Sequence, residues 1–127
     1  MPAPAKLFLA LGSGFALVAV VFGAFGAHGL RARLPPELLA IYQTAVQYHF
    51  YHSLGLVLVG LTMLHLPHSP ALRASGWLMA TGIVLFSGSL YVLALTGQKW
   101  LGAVAPLGGT AFILSWGAFT WAVARTS

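Results

Sequence analysis

The sequence predicts an all-α integral membrane protein, a four-transmembrane-helix antiparallel bundle with a short interfacial lead-in to its second helix. Two observations carry that reading. Hydrophobic residues fill 59% of the 127 positions and charged residues only 6%, against roughly 25% charged in an ordinary soluble domain. The apolar residues also fall into four runs, each long enough to cross a bilayer, separated by short links rich in proline, glycine or charge. One domain covers residues 1–127, with spans at about 7–27, 45–64, 74–96 and 101–124.

The charge pattern excludes several function classes. Net charge is +5, from Lys6, Arg31, Arg33, Arg73, Lys99 and Arg125 against Glu37, and the cations are scattered singly or in pairs. That spacing suits lipid headgroups; nucleic acid would need a cluster, so no nucleic-acid partner is expected. There is no cysteine, which removes disulfides, thiolate nucleophiles and sulfur metal sites together. Glu37 is the sole acid, so paired-carboxylate chemistry within one chain is excluded.

Taken in order, Lys6 opens an uncharged run from Leu7 to Ala27 whose length, ~30 Å at ~1.5 Å per residue, matches the hydrocarbon core. A cleaved leader has an apolar region of only about 7–15 residues, so a span is expected here. Gly12, Ala16, Ala19, Gly23 and Gly26 alternate by four and three positions and line small side chains on one face, which predicts close helix packing. Leu30 to Pro36 is a polar connection, and Pro35, Pro36 and Glu37 mark the start of a second helix. Counting back about 20 residues from Leu64 reaches Ala45, so Leu38 to Thr44 is expected at the headgroup boundary with Tyr42 as an interfacial aromatic. Pro67 and Pro70 make His65 to Arg73 a link. Trp77 marks re-entry, the third span ends near Thr96, and a turn at Gly97 to Trp100 leads into the fourth, which Arg125 closes.

Because the spans alternate in direction, most polar residues gather at one end: His28, Gln43, Gln47, His49, His52, Ser87, Ser89, Tyr91, Thr96, Gln98, Pro106 and Thr110. Polar groups inside lipid need partners, which makes this end the candidate site. His49 and His52, three apart, share a helix face near His28, and three imidazoles with an open position can bind a metal or take part in haem ligation. The plainer alternative is that these rings bond to Gln47, Tyr48, serines or helix-end carbonyls and hold the helices in register. Ser87, Ser89 and Tyr91 are expected to pack, with ligand contact as the alternative. Pro106, Gly108 and Gly109 read as a closely packed helix start or as a set of exposed backbone amides. His65 and His68 read as loop histidines at the opposite end.

Four segments together, GAFGAHGL at Gly23 to Leu30, YQTAVQYHFYH at Tyr42 to His52, SGSLYVLALTG at Ser87 to Gly97 and PLGG at Pro106 to Gly109, resemble the domain-of-unknown-function 423 family, which is similar to the eukaryotic transmembrane protein 256 group. The resemblance covers nearly the whole chain. It implies a small four-helix protein of the bacterial inner membrane with cytoplasmic termini, and it implies no established biochemical role. The family's glycine-alanine-histidine element falls on Gly26, Ala27 and His28, its tyrosine-x-x-x-histidine element on Tyr48 and His52, and its serine-leucine-tyrosine element on Ser89, Leu90 and Tyr91. Ala105 stands where the family usually has threonine, and the pattern admits glutamine at His49, which weakens a strict three-histidine metal site. The cations do not set orientation, since Lys6, Arg73 and Arg125 on one face balance Arg31, Arg33 and Lys99 on the other. The expected function is a non-catalytic accessory or structural subunit, contacting membrane lipids and assembling as a homo-oligomer or in a larger membrane complex. The alternatives are metal or haem binding, lipid or quinone binding, and transport by an oligomer.

Overall fold

A computed structural model describes residues 1–126 as helices joined by short links. Helix α1 (Ala3–Phe25) runs into a π-turn at Gly26–Leu30, and α2 (Pro36–Met63) follows. Helix α3 (Pro70–Gly82), a second π-turn (Ile83–Ser87) and α4 (Gly88–Thr96) form one continuous rod. A 3₁₀ turn (Lys99–Ala103) leads into α5 (Ala105–Ala124). Proline stands in the first turn of α1, α2, α3 and α5, where its missing N–H has no helical partner to lose and its fixed φ suits helix entry.

This placement of proline corrects one boundary. The link expected to last until Arg73 ends at Ser69, whose side chain caps α3 by accepting from the Leu72 N–H at 3.2 Å; Pro70 opens the helix. Helix α1 begins at Ala3, with Pro4 in its first turn, and together with the π-turn after it includes the Leu7 to Ala27 run expected to span. The turn after α4 is as expected, with Gly97 at φ 75° donating its N–H to the Leu93 carbonyl at 2.7 Å. Glycine adopts that left-handed conformation without a side-chain penalty.

Three of the four helical rods, Ala3–Leu30, Pro70–Thr96 and Lys99–Ala124, are long and apolar enough to cross a membrane. The α2 rod is not among them, because Gln43, Gln47, His49 and His52 lower its hydropathy. It is nevertheless antiparallel to α1 along its length. A Cβ added at Gly60 would meet Leu9, one at Gly12 would meet Ser53 and Val57, and one at Gly26 would meet Tyr42. The stripe of small residues on α1 therefore faces α2.

A hydrophobic core fills the end of the bundle nearest the chain termini, built on Phe8, Leu56, Val59, Met63, Leu72 and Met79. Within it, Ser75 on α3 and Ser115 on α5 donate hydroxyl hydrogen bonds to each other's carbonyl oxygens, both at 2.8 Å. A smaller cluster of Leu30, Tyr42 and Ala94 seals the other end.

Candidate functional site

Polar side chains at the second end knit three rods together. The Tyr42 hydroxyl donates to the Phe22 carbonyl at 2.6 Å, and the Tyr42 ring lies where a Cβ on Gly26 would otherwise stand. Tyr42 is therefore a buried tie between α1 and α2, not the interfacial aromatic its position suggests. Ser87 in the second π-turn donates to the Ala45 carbonyl at 2.8 Å. Next along α2, the Nδ1 atom of His49 lies 2.8 Å from the Tyr91 hydroxyl on α4. Tyr91 in turn packs edge-on against Phe22 with ring centroids 5.0 Å apart. Tyr91 thus joins α1, α2 and the α3/α4 rod at one point.

His49 is only 3% exposed. Its Nε2 is buried without a hydrogen-bond partner among the described residues. Phe15 and Phe22 meet the ring edge-on. Below the ring, Ser53 donates to the His49 carbonyl at 2.7 Å, a local back-bond within α2.

His52 takes a different neighbour. Three residues on a helix leave an angular offset of roughly 60°. That offset is enough to turn His52 toward α5, where it stacks on Phe112 with centroids 3.5 Å apart and planes at 10°. Its Nδ1 lies 2.7 Å from the Tyr48 backbone carbonyl. A carbonyl can only accept, so the proton sits on Nδ1 and the neutral ring keeps a bare lone pair on Nε2. Beside His52 runs a lateral groove of about 550 Å³ with Tyr48, Phe86, Pro106, Thr110, Ile113 and Trp116 along its walls.

The other sequence-selected residues fall into place around these two rings. His28 is exposed on the first π-turn and stands apart from His49 and His52; among the described residues no group of three His, Cys, Asp or Glu side chains could hold a metal ion. Gln47 is exposed and, with Gln43 and Tyr42, lines a second cleft of about 420 Å³ beside Gly23 and Gly26. Ser89 bonds back to the Phe86 carbonyl at 3.0 Å within its own rod. Gly108 packs directly on the Phe86 backbone, whereas Gly109 borders the groove. His65 and His68 are exposed in the link between α2 and α3.

Sequence reasoning missed the Ser75–Ser115 pair and the burial of Tyr42. A signal for the first was present, since a hydroxyl in a largely apolar half of a membrane protein needs a partner. The π-turns left none.

Comparison with known proteins places the chain in a family. The family model described as a protein of unknown function, DUF423, matches residues 22–109, from the Phe22 carbonyl that Tyr42 binds to the glycine at the groove's edge. The UPF0382 membrane protein YwdK of Bacillus subtilis is 52% identical over 111 residues, which cover 87% of this chain and 90% of that protein. UPF0382 membrane proteins of Staphylococcus epidermidis and Staphylococcus haemolyticus are 47% and 44% identical, each over 87% of this chain and 89% of the relative. No solved structure matches. With more than half of its length inside the family model and such relatives along most of both chains, this chain belongs to the DUF423 family of membrane proteins.

Proposed function

We propose that the chain is a four-span, non-catalytic accessory or structural subunit of the bacterial plasma (inner) membrane, with cytoplasmic termini, that works by self-association or within a larger membrane complex. The observation that carries this reading is the division of labour among its residues. Polar side chains in the interior join one helix to another: Tyr42 to Phe22, Ser87 to Ala45, His49 to Tyr91, and Ser75 to Ser115. The sole acid, Glu37, is exposed in the first turn of α2. On the outer faces, by contrast, Gly14, Gly88 and Gly117 have nothing within 4 Å of where a Cβ would stand. Between helices in lipid, small residues let backbones approach, and packing replaces the hydrophobic effect as the driving force.

Support for the fourth crossing comes from α2 following α1 from Gly60 beside Leu9 to Tyr42 beside Gly26. A helix packed along the whole of a membrane span crosses with it. The chain has no cysteine, so single cysteines report cleanly. Cysteines at Arg33 and at His68 are expected to react with an impermeant thiol reagent from opposite sides of the membrane; reaction of both from the same side would remove α2 as a span.

Assembly is tested separately. Extraction in a mild detergent followed by native mass measurement is expected to show an oligomer or a complex, and Gly14→Ile or Gly117→Ile to shift it toward monomer while the helix content by circular dichroism stays that of the wild type. A strictly monomeric wild-type protein with no partner would count against the accessory role.

A further inference from the structure

The groove beside His52 holds an acceptor that nothing in the chain uses. Nε2 of His52 has no hydrogen-bond partner among the described residues, and it is not enclosed in the way Nε2 of His49 is, so it opens on the groove that His52 lines. The residue as a whole is only 5% exposed. Its ring is fixed twice, by the Nδ1–H bond to the Tyr48 carbonyl and by the face-to-face stack on Phe112. The lone pair is therefore aimed before any ligand arrives, which lowers the ordering cost of binding.

Depth narrows the occupant. His52 lies seven residues beyond Ala45, about 10 Å of helix rise below the polar margin of the expected span. Acyl chains at that level have no donor to offer, and an unpaired polar atom in hydrocarbon is costly. The groove itself runs from Pro106 and Thr110 near the polar end of α5 down to Ile113 and Trp116. At its head the Tyr48 side chain is 39% exposed, with no side-chain hydrogen bond among the described residues. The space, about 550 Å³, is within the range of sites for small ligands.

The geometry points to this groove as a binding site for a membrane-soluble amphiphile whose head presents a hydroxyl donor to His52 Nε2 and whose apolar tail follows Ile113 and Trp116. Two molecular sources share that chemistry, a phenolic head such as a quinol and the free alcohol of a diacylglycerol.

The test uses the full chain in nanodiscs of phosphatidylcholine, which has no free hydroxyl. Decyl-benzoquinol kept reduced and dioctanoylglycerol are titrated alongside their O-methyl ethers, and binding is taken as the difference between nanodiscs with and without protein. For at least one pair, the hydroxyl form is expected to bind wild type about tenfold more tightly than its ether, the scale of one hydrogen bond to a buried acceptor. The pair that shows the ratio names the source. His52→Asn, whose amide can still donate to the Tyr48 carbonyl, is expected to bring that ratio to about one while leaving ether binding in place. Equal binding of hydroxyl and ether by the wild-type protein for both pairs would overturn the proposal without reference to any variant. So would a His52→Asn protein that keeps the ratio, or a groove closed to both probes because a second copy of the chain fills it.

Discussion

Gly108→Ala is expected to be the most damaging single-methyl change in the protein, lowering stability by about 3 kcal/mol or more, the upper end of the range for overpacked interiors. A Cβ at this position would land on the Phe86 backbone nitrogen and lie 2.7 Å from both Cα and Cβ of Phe86. No side-chain rotation relieves a clash with backbone. Phe86 cannot retreat either, because the next residue, Ser87, ties the same π-turn to the Ala45 carbonyl of α2. The remaining response is for α5 to move away from the α3/α4 rod, which would open the contact that brings Phe112 against Gly82. Gly12→Ala is expected to behave similarly though less severely, with Ser53 O and Val57 N of α2 each 2.8 Å from the new carbon. The control is the neighbouring Gly109→Ala, where the added carbon meets only Phe86 Cδ2 at 3.9 Å and alanine's better helix propensity is worth about 0.5–1 kcal/mol in the opposite direction. Melting temperatures of the four proteins in one detergent decide the matter. Gly108→Ala melting at or above wild type would mean that α5 does not seat on the second π-turn as described.

That prediction rests on a feature the sequence does not announce. The helices and their ends are legible because their punctuation is local: Pro36, Pro70 and Pro106 open helices and Gly97 closes one. Errors arise where the same residue type serves two purposes. Pro70 reads as part of a link because proline breaks a helix interior, yet it is tolerated in a first turn, so the link is shorter than that reading implies. The small-residue stripe on α1 is legible as a packing face by its spacing alone, and Gly12, Gly23 and Gly26 do meet α2. A π-turn, by contrast, is one extra residue per turn with no characteristic composition. Those at Gly26–Leu30 and Ile83–Ser87 are therefore invisible in sequence, although the second brings Phe86 to Gly108. Tyr42 illustrates a third kind of loss. Its chemistry and depth suit a headgroup anchor, but Gly26 leaves room for the ring and Phe22 offers a carbonyl, and both lie on another helix. The gathering of polar residues at one end follows from counting spans. Which imidazole meets which partner depends on about 60° of helix rotation, finer than a three-residue spacing can resolve.

The hydrogen bond that this rotation creates gives the second large effect. Tyr91→Phe is expected to lower stability by about 1–3 kcal/mol, more than the ~0.6 kcal/mol that a helix-to-helix hydrogen bond in a membrane contributes on average. The reason is what the deletion leaves behind. His49 already has a buried Nε2 without a hydrogen-bond partner among the described residues, and the Tyr91 hydroxyl at 2.8 Å is the partner of its other nitrogen. Without it, an imidazole 3% exposed would sit among Phe15, Phe22 and the new phenyl ring with neither nitrogen satisfied. Removing both partners avoids that penalty, since a buried pair replaced by apolar groups loses the bond but orphans nothing. His49→Leu alone, which orphans the Tyr91 hydroxyl, is expected to destabilise the protein, whereas the same change made on top of Tyr91→Phe is expected to stabilise it, a reversal of sign that no additive account produces. Unfolding the wild type, both single variants and the double variant under one set of detergent conditions yields the coupling directly. If the double variant falls by the sum of the two single losses, His49 and Tyr91 act independently, and the tie between α2 and α4 lies elsewhere, in Ser87 and the Ala45 carbonyl.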